Sequence, residues 1–214
     1  MSEESRTQPM EVNTQVSRVA VREPVMALTI DGGPDSHMPH LLFLLTKADV
    51  KATLFVCGEC LEQCPDGARQ AVRDGHELGN HSYSHARLPE LTPDKVREEI
   101  VRTQQLIEEK TGKAARLFRA PFLDCDAKVW AVLNELNLPA IHCSVDSQDY
   151  LDDISNEAVR DRMISGAQPG GIILMHGWSR KSQTVLVEVV EVLRAKGFRF
   201  VTVSQLLALG AMNP

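Results

Sequence analysis

Residues 25–36 read VMALTIDGGPDS, and the fold turns on how they are read. Val25 to Ile30 form an apolar, strand-like run that stops on Asp31. Gly32-Gly33-Pro34 follow at once. One carboxylate therefore sits at the lip of a strand, with glycines where a second polar side chain would fit. Two questions follow: what kind of sheet holds this strand, and what work a lone carboxylate does at its end.

The first question is answered by working outward. Strand patterns at 25–31, 52–58, 77–81, 116–120, 140–146, 171–176 and 198–203 alternate with helical patterns. The helices are predicted at 39–47, 65–74, 92–111, 126–137, 156–165 and 182–196, with a short terminal one at 204–209. Thr92-Pro93-Asp94 makes a natural helix start, and Gly112 and Gly197 are natural stops. Such alternation specifies βαβ units and a parallel sheet. Seven strands suit either a small, incomplete α/β barrel or a doubly wound open sheet. No repeat or linker interrupts the pattern past residue ~20, so the expectation is a flexible segment over 1–20 and a single domain over 21–214.

Composition narrows the function. At 214 residues and 43% hydrophobic, the chain is long enough for one sizeable core. A net charge of -6 with no Lys/Arg-rich run excludes a nucleic-acid footprint. No apolar stretch approaches the ~20 residues of a membrane span. The polar start MSEESRTQPMEVNTQVSR shows no secretory signal. Compartment stays open: cytoplasmic if this N-terminus is native, secreted if a leader has been removed. Among the five cysteines, Cys57, Cys60 and Cys64 are close in sequence, but no fourth ligand with zinc-site spacing follows. They read as ordinary thiols.

The second question is answered by what ends the other strands. Asp31 closes the first, and Asn80-His81-Ser82-Tyr83-Ser84-His85 the third. Arg119-Ala120-Pro121-Phe122, Asp146-Ser147-Gln148-Asp149-Tyr150 and Leu174-Met175-His176-Gly177 close three more. Taken singly, the Asp before Gly-Gly-Pro is a common turn residue, a strand-end His is often a core side chain, and Arg119 suits a surface. Together they deliver titratable and cationic groups to one rim, as barrel enzymes do. His81 and His85, four apart, would face the same way on a helical turn and hold one metal ion, with Ser82 and Ser84 orienting them. His37, His40, His76 and His142 lack such spacing and read as structural or solvent-facing.

From about Val25 to Leu207 the sequence resembles the NodB-type polysaccharide deacetylases, carbohydrate esterase family 4. Five motifs occur in family order: Thr29-Ile30-Asp31-Gly32-Gly33-Pro34, His81-Ser82-Tyr83-Ser84-His85, Arg119-Ala120-Pro121-Phe122, Asp146-Ser147-Gln148-Asp149-Tyr150 and Ile173-Leu174-Met175-His176. The resemblance implies a distorted, incomplete (β/α) barrel of about seven strands. It also implies metal-dependent removal of N-acetyl groups from a chitin-, chito-oligosaccharide- or peptidoglycan-like carbohydrate. Asp31 would be the base and His176 the acid, with Arg119 orienting Asp31 and Asp149 tuning His176. His81 and His85 would hold a divalent metal, zinc foremost. The backbone N–H near Phe122 would stabilise the oxyanion, and Tyr150, Leu174 and Trp178 would shape the pocket with Phe122. The loops are short, so the cleft is expected to be open and shallow.

One position departs from the pattern: Gly32 stands where the family's metal-ligand Asp stands. Three outcomes are open. Water completes the site, Asp35 swings in, or the protein binds carbohydrate without catalysis. Hydrolysis of another C–N bond, in a small amide, is the further alternative.

Overall fold

The computed structural model describes residues 15–212. β1 (Val25–Asp31) lies at the centre of a parallel sheet in the order β3-β2-β1-β5-β4, with β2 at Thr53–Val56, β3 at Glu77–Asn80, β4 at Val145–Asp146 and β5 at Ile172–His176. One edge of β1 is shared between two neighbours. Val25–Ala27 pair with β6 (Arg199–Val201), and Thr29–Asp31 pair with β2. The other edge pairs with β5 along its length, so that Asp31 and His176 stand side by side in register.

The sheet curls into a barrel through two sparse contacts. Asn80 bridges Phe118, and Phe118 bridges Ala140, both parallel. The expected strand 116–120 is therefore a single bridged residue, Phe118. The strand expected at 140–146 is two bridged residues, Ala140 and Ile141, followed by the short β4. Arg119 explains why pairing is so brief there, because its side chain takes the carbonyls of Ile141 and His142 as acceptors (3.1 and 2.9 Å). Residues 141 and 142 thus offer their carbonyls to a side chain rather than to a strand ladder.

All seven residues of β1 are buried, and their alternation divides the molecule into inside and outside. Met26, Leu28 and Ile30 join Ile173, Met175 and the apolar faces of α1 (Met38–Lys47), α3 (Pro65–Arg73), α6 (Asn156–Ser165) and α7 (Arg180–Ala195). Val25 and Ala27 point the other way, into a cluster with Phe55, Leu117, Ile141 and Ile172. The C-terminal helix α8 (Val203–Ala211) plugs that end with Val203 and Leu206. Going up β1, the inward residues run Val25, Ala27, Thr29, Asp31. The barrel interior is apolar at the bottom and polar at the top.

The remaining helices are set by their caps. α4 (Pro93–Thr111) starts under the Thr92 hydroxyl, with proline in its first turn, and stops at Gly112 in a left-handed conformation (φ 71°). It packs with α5 (Ala127–Glu135) over Phe118, Ala120 and Ala140. α8 begins with a reciprocal Thr202/Gln205 capping box, one residue earlier than expected. α2 (Gly58–Gln63) is an unexpected element, a six-residue helix without a side-chain cap to mark it.

Residues 1–14 of the expected flexible segment lie outside the described residues. Its last part is not loose. Val16 bridges Ile141, Arg18 bridges Gly171 and Val19 is buried. No described helix is long and apolar enough to cross a membrane.

Candidate active site

A cavity of about 350 Å³ opens at the polar end of the barrel. It is lined by Asp31, His81, His85, Phe122, Leu123, Asp146, Tyr150, Leu174, His176 and Trp178. Eight of the ten residues singled out in the sequence are on that wall. The other two, Arg119 and Asp149, lie directly behind it.

Arg119 is fully buried inside the barrel, its guanidinium 4.3 Å from the Phe55 ring centroid. Its Nη1 donates to Asp31 Oδ1 and to Thr29 Oγ1, both at 2.7 Å. With the two carbonyls described above, the guanidinium fork is held from two segments, β1 and residues 141–142, as a buried cation must be. Asp31 Oδ1 is thereby fixed. Asp31 Oδ2 stands 3.7 Å from His81 Nε2.

His81 Nδ1–H donates to the Arg119 carbonyl (2.8 Å). Burial pushes the ring pKa down to about 4, so the imidazole is neutral and presents a bare Nε2. That nitrogen's lone pair faces Asp31 Oδ2 in a buried place. Burial lowers the His85 pKa as well. The two rings meet edge to face with centroids 4.9 Å apart. The expected helical turn is absent. Ser82 and His85 both have left-handed backbones (φ 65° and 57°), and a loop rather than an i, i+4 spacing brings the rings together. Ser82 Oγ accepts the His85 N–H (3.1 Å), and Ser84 Oγ donates to Glu99 (2.7 Å).

His176 Nδ1–H donates to Asp149 Oδ1 (2.7 Å), while its backbone N–H donates to Oδ2 (2.9 Å). Burial alone would lower the His176 pKa, but the Asp149 hydrogen bond and charge outweigh it and the pKa rises. Burial likewise opposes ionisation of Asp149. Hydrogen bonds from His176 and from the Ser182 hydroxyl reverse that and hold its carboxyl below the usual range. Tyr150 and Trp178 flank the imidazole at 5.5 and 5.2 Å. Phe122, Tyr150 and Trp178 are 52, 45 and 43% exposed, so the rim is aromatic and open to solvent, the form expected of a shallow cleft.

Gly32 has φ 94°, a backbone that side chains rarely adopt. A Cβ there would lie 3.2 Å from Trp178 Cδ1. Asp35 does not reach the histidines' side of the loop; its carboxylate caps the His37 N–H (2.8 Å). Among the described residues no three His, Cys, Asp or Glu side chains are placed to hold a metal together. The chemistry of the donor set still fits a divalent metal: two neutral imidazoles, one bare nitrogen directed at a carboxylate, with water left to complete the shell.

Cys57 is buried, Cys60 half-buried and Cys64 exposed, all unpaired. Burial raises the Cys57 and Cys60 thiols, as inert side chains. His76 is buried and His142 bonds its neighbour's backbone, while His37 is half-buried and His40 exposed. Sequence reasoning gave no role to Asp146, which lines the cavity and accepts the Tyr150 hydroxyl (3.1 Å). Its place at the end of β4 was the available signal. It also passed over Ser182, which lies mid-pattern in a helix.

The α/β barrel carries an Asp–Arg pair, an Asp–His pair and two neutral histidines together at the carboxyl end of its strands. Family comparison makes the class specific. Residues 18–141 match the polysaccharide deacetylase family model, and the chain belongs to that family. A peptidoglycan-N-acetylglucosamine deacetylase of Bacillus cereus is 34% identical over 185 residues, covering 83% of this chain and 66% of the relative. The chain thus spans just under two thirds of that protein's length. A chitooligosaccharide deacetylase of Azorhizobium caulinodans is 29% identical over 88% of this chain and 97% of its own. Among solved structures, a CE4 family pseudoenzyme from Bacillus anthracis superimposes with a TM-score of 0.84 at 26% identity, over 91% of this chain and 69% of that one. A mutant of it described as having restored enzymatic activity superimposes at 0.85.

Proposed function

We propose that this domain is a metal-dependent deacetylase that hydrolyses the N-acetyl group of an amino sugar in a peptidoglycan- or chito-oligosaccharide-like carbohydrate. The observation that carries the proposal is the register pairing of Asp31 with His176, each with its own buried partner. A base and an acid stand one strand apart, about 4.8 Å, over a cavity that two neutral imidazoles also face. His81 and His85 would hold the metal, zinc by its preference for imidazole. That metal would supply an acidified water and polarisation of the acetyl carbonyl.

The chain's own residues do the rest. Arg119 pins Asp31 Oδ1, which leaves Oδ2 to take the proton of the attacking water. The Phe122 backbone N–H stabilises charge on the acetyl oxygen. His176, kept protonated by Asp149, gives its Nε2 proton to the departing amine nitrogen. Phe122, Tyr150 and Trp178 offer ring faces to the sugar, and Leu174 seats the acetyl methyl.

The lack of a third protein ligand among the described residues and the likeness to a pseudoenzyme support a second reading, a carbohydrate binder without turnover. Acetate release from chito-oligosaccharides and from peptidoglycan, with zinc supplied, separates the two. The proposal expects turnover that falls by at least a factor of about 100 in Asp31→Asn, with sugar affinity kept. Sugar binding without acetate, formate or ammonia release from wild type would replace it with the second reading.

A further inference from the structure

The loop His81–His85 contains two left-handed non-glycine residues, a conformation that persists only where the surroundings over-determine it. Its backbone donors are all satisfied. His81 N–H goes to the Val56 carbonyl (3.0 Å), Ser82 N–H to Asn80 Oδ1 (2.9 Å) and His85 N–H to Ser82 Oγ (3.1 Å). The remaining two, Tyr83 and Ser84, both donate to Glu99 Oε2, at 2.9 and 2.8 Å. Glu99 Oε1 accepts the Ser84 hydroxyl as well (2.7 Å). Glu99 belongs to α4 and lies outside the cavity lining.

From this we infer that Glu99 is a positioning residue for the histidine pair: its carboxylate, held by three loop donors, fixes the strained turn that aims His81 and His85 into one cavity. The loop carbonyls are gripped from the opposite element. Gly58 N–H donates to the Ser82 carbonyl and Glu59 N–H to that of Tyr83, both at 3.0 Å, from the start of α2. A Cβ at Gly58 would lie 2.5 Å from the Tyr83 ring, so α2 approaches the loop as closely as a glycine permits. From the α2 side the Cys57 thiol also reaches the His81 carbonyl (3.8 Å) and Glu62 accepts the Tyr83 hydroxyl (2.8 Å), but neither meets a loop N–H. Glu99 is the side chain that answers the consecutive N–H groups of 83 and 84, a place where two converging donors favour an anionic oxygen.

The role in metal binding rests on the deacetylase proposal, and the experiment keeps the two apart. Glu99→Ala and Glu99→Gln are compared with wild type by zinc competition titration and by amide hydrogen exchange resolved to residues 82–85. Glu99→Ala should weaken zinc about tenfold or more, the usual scale for partners that orient ligands. Exchange at Tyr83 and Ser84 should quicken about tenfold while the rest of α4 stays protected. Glu99→Gln, which keeps a carbonyl acceptor, should recover most of both. The inference is overturned if Glu99→Ala binds zinc as wild type does with exchange unchanged. It is equally overturned if Glu99→Gln behaves like Glu99→Ala, or if exchange rises evenly along the chain. If wild type takes up no zinc, the deacetylase proposal fails, and local exchange alone decides for or against Glu99.

Discussion

Gly32 and Trp178 are a matched pair, and the pairing limits what a single substitution achieves. Gly32→Asp has to place a side chain on a backbone at φ 94° and move an indole whose Cδ1 is 3.2 Å from the new Cβ. Strain of this kind costs on the order of 1–3 kcal/mol. Gly32→Asp alone is therefore expected to lower stability by that amount in urea unfolding and to leave zinc affinity within about threefold of wild type. Gly32→Asp with Trp178→Ala opens the space, and a tenfold gain in affinity, about 1.4 kcal/mol, is expected. A gain of that size in the single variant would show that the indole is no obstacle. A second residue-level expectation concerns Asp149. Asparagine cannot hold His176 in its charged form, so the raised His176 pKa falls. The basic limb of the kcat/KM profile then moves to lower pH, with kcat down by about 10²–10⁴. An unmoved basic limb would mean that His176 is not the acid.

At the scale of elements, a buried histidine ties two strands to pH. His76 precedes β3, is 6% exposed and accepts the Ala52 N–H through Nδ1 (3.1 Å) just before β2. Burial, aided by the Lys51 charge, pushes its pKa down to about 4. Above the unfolded value of about 6.5 neither state binds a proton there, and the full stability is present. As pH falls from 6.5 towards 4 the unfolded chain takes the proton first, so stability is lost. Below about 4 the native state takes it too, and the loss levels off. The linked change is about 3 kcal/mol. His176 works with the opposite sign, contributing below 6.5 and losing its contribution as pH rises through its raised pKa. Urea unfolding of wild type and His76→Gln at pH 7, 5.5 and 4.5 isolates the first effect: the variant should have the shallower slope. Parallel slopes would place the acid sensitivity elsewhere.

For the whole molecule, the parallel barrel and its polar rim were legible because strand ends are where apolar runs meet Asp, His and Arg, and that transition is local in sequence. What could not be read was non-local. Strand 116–120 shrank to a bridge because Arg119 competes for the carbonyls of its neighbour, and the histidine loop left its expected helical turn because α2 and Glu99 hold it otherwise. Gly32 was visible as a residue type, but Trp178, the side chain it faces, lies 146 positions away in the sequence.

These two levels meet in the stability of the folded chain towards metal. A ligand bound by the native state alone stabilises it by RT ln(1 + [L]/Kd), about 2.7 kcal/mol at a hundredfold excess over Kd. Only the folded barrel brings His81 and His85 to a centroid distance of 4.9 Å, so zinc at that excess is expected to raise the melting temperature by several degrees. Chelation should reverse the rise. His85→Ala leaves His81 as a single imidazole and should abolish it, with the metal-free melting temperature little changed because His85 is exposed at the cavity wall. A wild-type protein whose melting temperature ignores zinc at any concentration would mean that two histidines without a third protein ligand do not make a metal site on this barrel, and that the polar rim serves binding alone.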